Sequence, residues 1–388
     1  GDVYKRQVCL SVTGKRIGGI NGIIFLYKGL KQMIRISKPD ITHVQYMAPG
    51  AIPILLLRLF GIKNIIATAH TAADIYPNLK LVHFIQRYCV RVFTCITQVA
   101  EMSFFGKSNL YTQKTVIQKV NHFTIYNVLP SYIKIREEQR DFSSPVTLGV
   151  VGRLEKIKGG DLVIPAFVRI KERYPETRLL IVGDGSLKAF MQQQAKDLHV
   201  GEYITWVGRK DQSQLQAYYD KIHVLLIPSR SEGFGLTAIE GMARGCVVIA
   251  SKTGGLSEIV KDKEVGLLHE QENTEDLAKK VCYVLEHPQD MKMLSMKATR
   301  YVEQFGNNQY TLLFTVMGAK FLFTRQGIIT HPLNKKKKLL LDGPELFWIL
   351  TFSTGLLAFS APGVLDLMAI RLMVLEAFCI IELFIVKR

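Results

Sequence analysis

The 388-residue sequence predicts an α/β protein made of two Rossmann-like domains with parallel sheets, followed by a hydrophobic helical appendage at the carboxyl end. Three observations carry this expectation. The length exceeds one ordinary core, since about 100 to 200 residues per domain is usual. Short apolar runs alternate with helical stretches twice over, with a polar break between, as buried parallel strands and their crossover helices do. Past about residue 326 the character changes, and a basic run precedes two long apolar stretches.

Taken in order, residues 1–7 (GDVYKRQ) read as the in-frame translation of a transposase sequencing-adapter end and are set aside as a scar. From 8 to about 130 the alternation runs through ITHVQ (41–45), AIPILLLRLFG (51–61), NIIATA (64–69), FIQRYCVRVF (84–93) and CITQVA (95–100), a partial amino-terminal domain. The polar stretch SYIKIREEQRDFSSP (131–145) reads as a linker. The second domain, 146–326, repeats the rhythm with strands at 146–152, 178–183, 203–208, 223–229 and 246–251. Helices are expected between them at 161–174, from 186, near 211–220 and from about 236, and NTEDLAKKVCYVL (273–285) opens on an Asn/Thr cap with acids in its first turn. Open α/β sheets bind ligands at the carboxyl ends of their strands, so two such domains place a cleft there.

The tail, 327–388, holds HPLNKKKK followed by apolar stretches at 346–363 and 364–386. As a membrane hairpin it would leave Lys335–Lys338 and the closing Lys387 and Arg388 on the cytoplasmic side. The first stretch is short against the roughly 20 residues of a spanning helix. The second carries Asp366, Arg371, Glu376 and Glu382, so a packed helical pair stands beside membrane insertion or surface attachment as a reading.

A formal charge of +17 makes the surface attractive to anions: nucleotide diphosphates, nucleic acid or an acidic lipid face. Six cysteines show no CxxC pair and no zinc-ligand spacing with histidine, which suits reduced thiols in a cytoplasm. No zinc finger, RNP1 or helix-turn-helix signature is recognisable, so nucleic acid is not the expected partner. A dinucleotide dehydrogenase is disfavoured because VGDGSLK has Lys188 where the third glycine of GxGxxG belongs.

Three loops between strand and helix concentrate polar chemistry. SEGFGLTAIE (231–240) places Glu232 before a glycine turn and Glu240 about one turn into the helix opening at Gly235 and Leu236. The free amides of such a helix start attract anions and polar groups. Glu240 could accept both hydrogens of a vicinal diol such as a ribose, and Glu232 could face hydroxyls of a second sugar. Read alone, the pair could equally be a solvated loop acid and a first-turn acid favoured by the helix dipole. SKTGGLSEIV (251–260) puts Gly254 and Gly255 at the next strand end, a second amide cradle for phosphate. VGRLEKIKGGD (151–161) adds Arg153 and Lys158, a forked donor and a point charge suited to a diphosphate.

These segments, with IVGDGSL, WVGRKDQSQLQAYYDKIHVLLIPS and VGLLHE, closely resemble the carboxyl-terminal donor domain of the retaining, nucleotide-sugar-dependent glycosyltransferases called group one, or family 4. The resemblance covers about 146–269 densely and the first half more loosely, through SKPDITHVQYMAPGAIPILLLRLFGIKNIIATAHT (37–71). It implies the GT-B fold, two facing Rossmann-like domains. It implies that Arg153 and Lys158 hold the donor diphosphate, that Glu232 contacts the transferred sugar and that Glu240 binds the ribose. His70, after the strand NIIATA, matches the family's cleft histidine, while His43 is read as structural. The implied catalytic set is His70, Arg153, Lys158 and Glu232; the implied donor-binding set is Arg153, Lys158, Gly235, Leu236, Glu240, Gly254 and Gly255. No metal is implied, and no DxD pair of the metal-dependent type is present.

The family's opening βαβ unit has no counterpart here, so an amino-terminally truncated chain is expected, and its own activity is an open question. The resemblance implies transfer from a UDP- or GDP-sugar to a glycan or lipid-linked acceptor with retention, by front-face attack and with no prosthetic group. The net positive charge and the KKKK run suit a protein in the cytoplasm or at the inner face of the cytoplasmic membrane, with an anionic membrane surface as a further partner, or equally simple solubility. Three alternatives stand beside it: a GT-B nucleotide-sugar epimerase, a noncatalytic nucleotide-binding fragment and a basic nucleic-acid-binding protein.

Overall fold

The computed structural model describes residues 19–37, 39, 42–45, 51–73, 78–111, 121–142 and 145–306, together with the backbone of 348–354 and 379–385. The chain divides into two compact units, Gly1–Ile125 with Gln309–Arg388, and Tyr126–Asn308.

The first unit opens with helix α1 (Gly19–Ser37) and alternates β1 (Thr42–Gln45), α2 (Ile52–Leu59), β2 (Ile65–Ala69), α3 (Leu79–Phe84), β3 (Val92–Cys95), α4 (Gln98–Phe105) and β4 (His122–Thr124). A π-helical turn, Ile85–Cys89, extends α3. The strands form a parallel sheet in sequential order, with Thr42 facing Ile65, Ile66 facing Val92 and Phe93 facing His122. β2 and β3 are buried along their whole length, as central parallel strands are. Leu26, Leu30 and Met33 of α1 and Ile54 and Leu57 of α2 join the same core. Strand β3 straddles the two runs at 84–93 and 95–100. Thr97 then accepts the Ala100 amide and starts α4, so most of CITQVA is a helix entry.

The second unit contains β5 (Thr147–Val151), α5 (Gly160–Arg173), β6 (Arg178–Val182), α6 (Lys188–Asp197), β7 (Ile204–Gly208), α7 (Gln212–Tyr219) and β8 (Val224–Ile227). It continues through α8 (Leu236–Ala243), β9 (Val247–Ser251), α9 (Gly254–Ile259), β10 (Leu267–His269), α10 (Thr274–Glu286) and α11 (Pro288–Tyr301). The sheet is parallel, in the order β10-β9-β8-β5-β6-β7. Counted within the unit, that is the 3-2-1-4-5-6 order of the doubly wound fold, whose direction of winding reverses between β5 and β8. Val163, Ala166, Phe167 and Ile170 are buried on one face of α5 at helical spacing. Asn273 caps α10 by accepting the Asp276 amide, as its sequence suggests.

The 131–145 stretch is not a free connector, because its described residues are tied to the second unit. Arg140 is 5% exposed and donates to the Tyr219, Asp220 and Arg244 carbonyls. The tail also departs from expectation. Trp348–Thr354 and Cys379–Ile385 are antiparallel strands, β11 and β12, where helices are predicted. Both segments, WILTFST and CIIELFI, are rich in β-branched and aromatic residues, and an apolar run of strand length has no periodicity to separate strand from helix. Asp366, Arg371, Glu376 and the Lys335–Lys338 run lie outside the described residues. Among the described residues no helix is long and apolar enough to cross a membrane.

Candidate functional site

The carboxyl ends of β5 and β8 flank the reversal point of the second sheet, and the loops that leave them carry most of the predicted residues. After β5 the chain passes Gly152 and the exposed Arg153, makes a 3-10 turn over Lys156–Lys158 and enters α5 through Gly159. Gly159 has φ 68°, and a Cβ there would lie 1.9 Å from the Pro228 carbonyl oxygen. Only glycine lets the two loops touch backbone to backbone. That contact brings Lys158 to Glu232, Nζ to Oε2, at 2.8 Å, with the two side chains 25% and 20% exposed.

Glu240 lies on α8 and is 4% exposed. Its Oε1 accepts the Tyr132 hydroxyl at 2.7 Å and its Oε2 the Tyr219 hydroxyl at 2.6 Å. Burial raises the carboxyl, and the two phenol hydrogen bonds oppose that rise. Burial and the adjacent carboxylate hold both phenols above their usual range, so they stay protonated and act as donors. Each carboxylate oxygen has two lone pairs, so each retains one acceptor site beyond its tyrosine. The diol reading therefore applies to a carboxylate already held on both sides.

Gly235 takes φ 98° at the amino cap of α8, and Leu236 follows it, 40% exposed. Gly254 and Gly255 open α9, but the Gly255 amide donates to the Glu232 carbonyl at 2.8 Å. A Cβ on Gly255 would lie 2.3 Å from the Gly233 carbonyl oxygen. That amide is engaged within the protein, so Gly255 serves to seat the Glu232 loop where a phosphate cradle is predicted.

Arg230 organises the same rim and was not singled out from the sequence. It forks onto Asp161 at 2.8 and 2.9 Å, reaches Glu272 at 2.7 Å and donates to the Lys156 carbonyl. Its amide donates to the Ile157 carbonyl at 2.8 Å, and its own carbonyl accepts from Thr253 and Gln271. One side chain thus ties the turn bearing Lys158 to the loop bearing Glu232. The rule that marks Arg153, a cation at a strand's carboxyl end, also marks Arg230. Tyr132 and Tyr219 carry no such signal.

In the first unit His70 follows β2 at the carboxyl end of its sheet. Its Nε2 lies 2.6 Å from Gln45 Oε1, and burial lowers its pKa to about 4, so the ring is neutral near pH 7. His43, read as structural, is buried within the sheet and lowered to about 3 by burial and by His70. Arg153, Lys158, Glu232, Gly235, Leu236, Glu240, Gly254 and Gly255 all belong to the second unit; His70 belongs to the first. Among the described residues no group of three or more His, Cys, Asp or Glu side chains is placed to hold a metal ion.

Residues 131–301 match the family Glycosyl transferases group 1. An uncharacterized glycosyltransferase of Methanocaldococcus jannaschii is 29% identical over 304 residues, covering 78% of this chain and 82% of that protein. A D-inositol 3-phosphate glycosyltransferase of Corynebacterium aurimucosum is 27% identical over 295 residues, covering 69% of this chain and 68% of that one. Among solved structures, an Anabaena protein in complex with UDP and glucose superposes with a TM-score of 0.61 at 16% identity, over 79% of this chain and 83% of that one. Sucrose-phosphate synthase from Thermosynechococcus elongatus gives 0.61 at 21% identity, over 78% of each chain. The fold is GT-B, and residues 131–301 are similar to the Glycosyl transferases group 1 domain.

Proposed function

We propose that this protein transfers a sugar from a UDP- or GDP-sugar to a glycan or lipid-linked acceptor, with retention of configuration and without a metal. The observation that carries the reading is the Lys158–Glu232 pair, 2.8 Å apart, where the winding of the second sheet reverses. A ligand entering there meets a cation, a carboxylate and the start of α8 within one loop pair. The UDP bound to the Anabaena relative supports a nucleoside diphosphate as the donor's leaving group.

In this reading Lys158 and Arg153 take the diphosphate oxygens, Arg153 by forked hydrogen bonds and Lys158 as a point charge. Both interactions strengthen as the bond to the sugar breaks and charge grows on the leaving phosphate, so they favour the transition state over the bound donor. Glu232, released from part of its ion pair, accepts hydroxyls of the transferred sugar, and Glu240 accepts the ribose diol. Gly235, Leu236 and Gly254 supply the backbone around the phosphates. The acceptor hydroxyl attacks on the face the diphosphate leaves, and a phosphate oxygen takes its proton. His70 orients a hydroxyl of the sugar or acceptor. Cationic side chains supply the charge neutralisation, and turnover is accordingly expected to survive EDTA. The +17 charge suits work at the anionic inner face of the cytoplasmic membrane, where nucleotide sugars and lipid-linked acceptors meet.

The test is thermal stabilisation by UDP, GDP, CDP, ADP and NAD, alongside Glu240→Ala. Saturation at a hundredfold over Kd adds about 2.7 kcal/mol to the folded state. A selective shift with UDP or GDP, lost in Glu240→Ala, is the expected result. Equal shifts with every nucleotide, or a full shift in the variant, would sink the assignment. For the mechanism, unchanged turnover in Arg153→Ala with Lys158→Ala would refute the role given to the two cations.

A further inference from the structure

Two buried glutamates of this protein are held in different ways. Glu101 of α4, fully buried in the first unit, has a protein partner at every acceptor site. Its Oε1 lies 2.6 Å from His122 Nδ1 and accepts the Asn109 side-chain amide at 3.4 Å. Its Oε2 accepts the Thr124 hydroxyl at 2.6 Å and the Asn109 backbone amide at 2.9 Å. An ionised carboxylate offers about four such sites, so Glu101 is filled by the fold. Glu240 of α8 is nearly as buried, and among the described residues it accepts two hydrogen bonds, one phenol hydroxyl on each oxygen. One acceptor site per oxygen stays open, and an unfilled site on a buried charge is costly. The contrast marks Glu240 as a carboxylate shaped for donors from outside the protein.

The two phenols arrive from segments that are tied to one another. Tyr219 closes α7 and is fully buried. Tyr132 comes from the stretch that precedes β5, which is strapped onto α7 and α8. The Lys134 amide donates to Gln216 Oε1 at 2.9 Å, and the Arg136 amide donates to the Ala243 carbonyl at 2.8 Å. Arg244 donates to the Lys134 carbonyl at 2.6 Å and holds Asp220 with its remaining nitrogens. Arg140 fastens the far end of the strap to the Tyr219, Asp220 and Arg244 carbonyls. Ile133, the neighbour of Tyr132, is buried as well. The Tyr132 hydroxyl is therefore delivered to Glu240 by a built segment and not by a loose connector.

We propose that Tyr132 is a positioning residue which, with Tyr219, fixes the Glu240 carboxylate so that its two open acceptor sites meet the two hydroxyls of a ribose. The site then selects ribonucleoside over deoxyribonucleoside diphosphates. This rests on the ribose assignment of Glu240 in the function proposed above. A carboxylate tethered through one oxygen alone can turn about its last torsion, which is soft, and two aligned acceptors are then lost as a pair. The phenols also oppose the protonation that burial favours, and a protonated carboxyl would present a donor where an acceptor is needed. Tyr132→Phe keeps the ring and removes only the donor. A deoxy nucleotide brings one hydroxyl in place of two, and one open site then stays without its hydrogen.

The experiment is titration calorimetry of the full chain with UDP and GDP and with their 2′-deoxy and 3′-deoxy forms, in the wild type, Tyr132→Phe, Tyr219→Phe and Glu240→Ala. The wild type is expected to bind the ribose form of its nucleotide about 10- to 100-fold more tightly than the deoxy forms, the range for a hydrogen bond to a charged group. In Tyr132→Phe that preference should shrink about tenfold for at least one deoxy form, through weaker binding of the ribose form. Tyr219→Phe acts on the other oxygen with the same expectation, and it decides the matter if Tyr132→Phe does not fold. A phenol that only supports the fold would weaken ribose and deoxy forms alike and leave the preference unchanged, which overturns the proposal. If both Phe variants keep the preference while Glu240→Ala loses it, the ribose assignment stands and the positioning role falls. No preference in the wild type, or a full preference in Glu240→Ala, overturns the ribose assignment and this proposal with it.

Discussion

Arg230→Met tests whether the rim is held together by one side chain. The aliphatic stem is kept and the guanidinium removed, so packing along the stem survives. Three interactions disappear. The fork onto Asp161 joins side chains 16% and 23% exposed, and hydrogen bonds to charged groups of this kind contribute about 1.5 to 3 kcal/mol. The contact to Glu272, whose side chain is 60% exposed, contributes about 0 to 1 kcal/mol after solvent screening. The bond to the Lys156 carbonyl adds about 1 kcal/mol. A loss near 3 kcal/mol follows, or roughly 6 to 12 °C in Tm for a unit of this size. Arg173→Met is the control, because its pair with Glu286 is 64% and 36% exposed and should cost under about 1 kcal/mol. Urea unfolding of both variants decides. If the two midpoints move by the same amount, Arg230 is an ordinary surface cation and the clamp argument is wrong. A second readout is nucleotide affinity. The backbone bond from Arg230 to Ile157 remains in the variant, so the Lys158 turn is loosened but kept, and UDP or GDP should bind more weakly while still stabilising the protein.

Three further outcomes are expected. Lys158→Met should change stability by under about 1 kcal/mol, since the Glu232 pair is partly solvated, yet weaken nucleoside diphosphate binding about 10- to 100-fold, read by titration calorimetry. Gly159→Ala forces a left-handed residue against the Pro228 carbonyl, so a loss of about 3 kcal/mol or more in urea unfolding is expected; a loss below about 1 kcal/mol would mean that the two loops part easily. Acid should destabilise the fold early. Burial lowers His43 to about 3 and His70 and His223 to about 4, while in the unfolded chain they titrate near 6.5. Below that pH the unfolded state takes up protons that the folded state refuses, so stability present above 6.5 is lost as pH falls toward 4. Each histidine contributes about 1.4 kcal/mol per pH unit, and urea midpoints at pH 7.5, 6 and 5 should fall accordingly; a flat profile would show that these rings are not buried neutral.

What was legible in the sequence follows from the range of the forces involved. The strands of the second unit fall where apolar runs of β-branched residues fall, because a central parallel strand must be apolar on both faces whatever its neighbours. The loops that carry Arg153, Lys158, Glu232 and Glu240 were visible because strand, glycine turn and helix follow one another locally. The partners of those residues were not. Tyr132 meets Glu240 across 108 residues of chain, and it comes from a polar stretch whose composition resembles a linker. Gly255 shows the same limit in reverse: its position at a helix start suggested a free amide, and the Glu232 carbonyl, 23 residues earlier, had already taken it. The tail fails for another reason, since a run such as CIIELFI satisfies a strand and a helix equally until a pairing strand is found for it, as WILTFST is here.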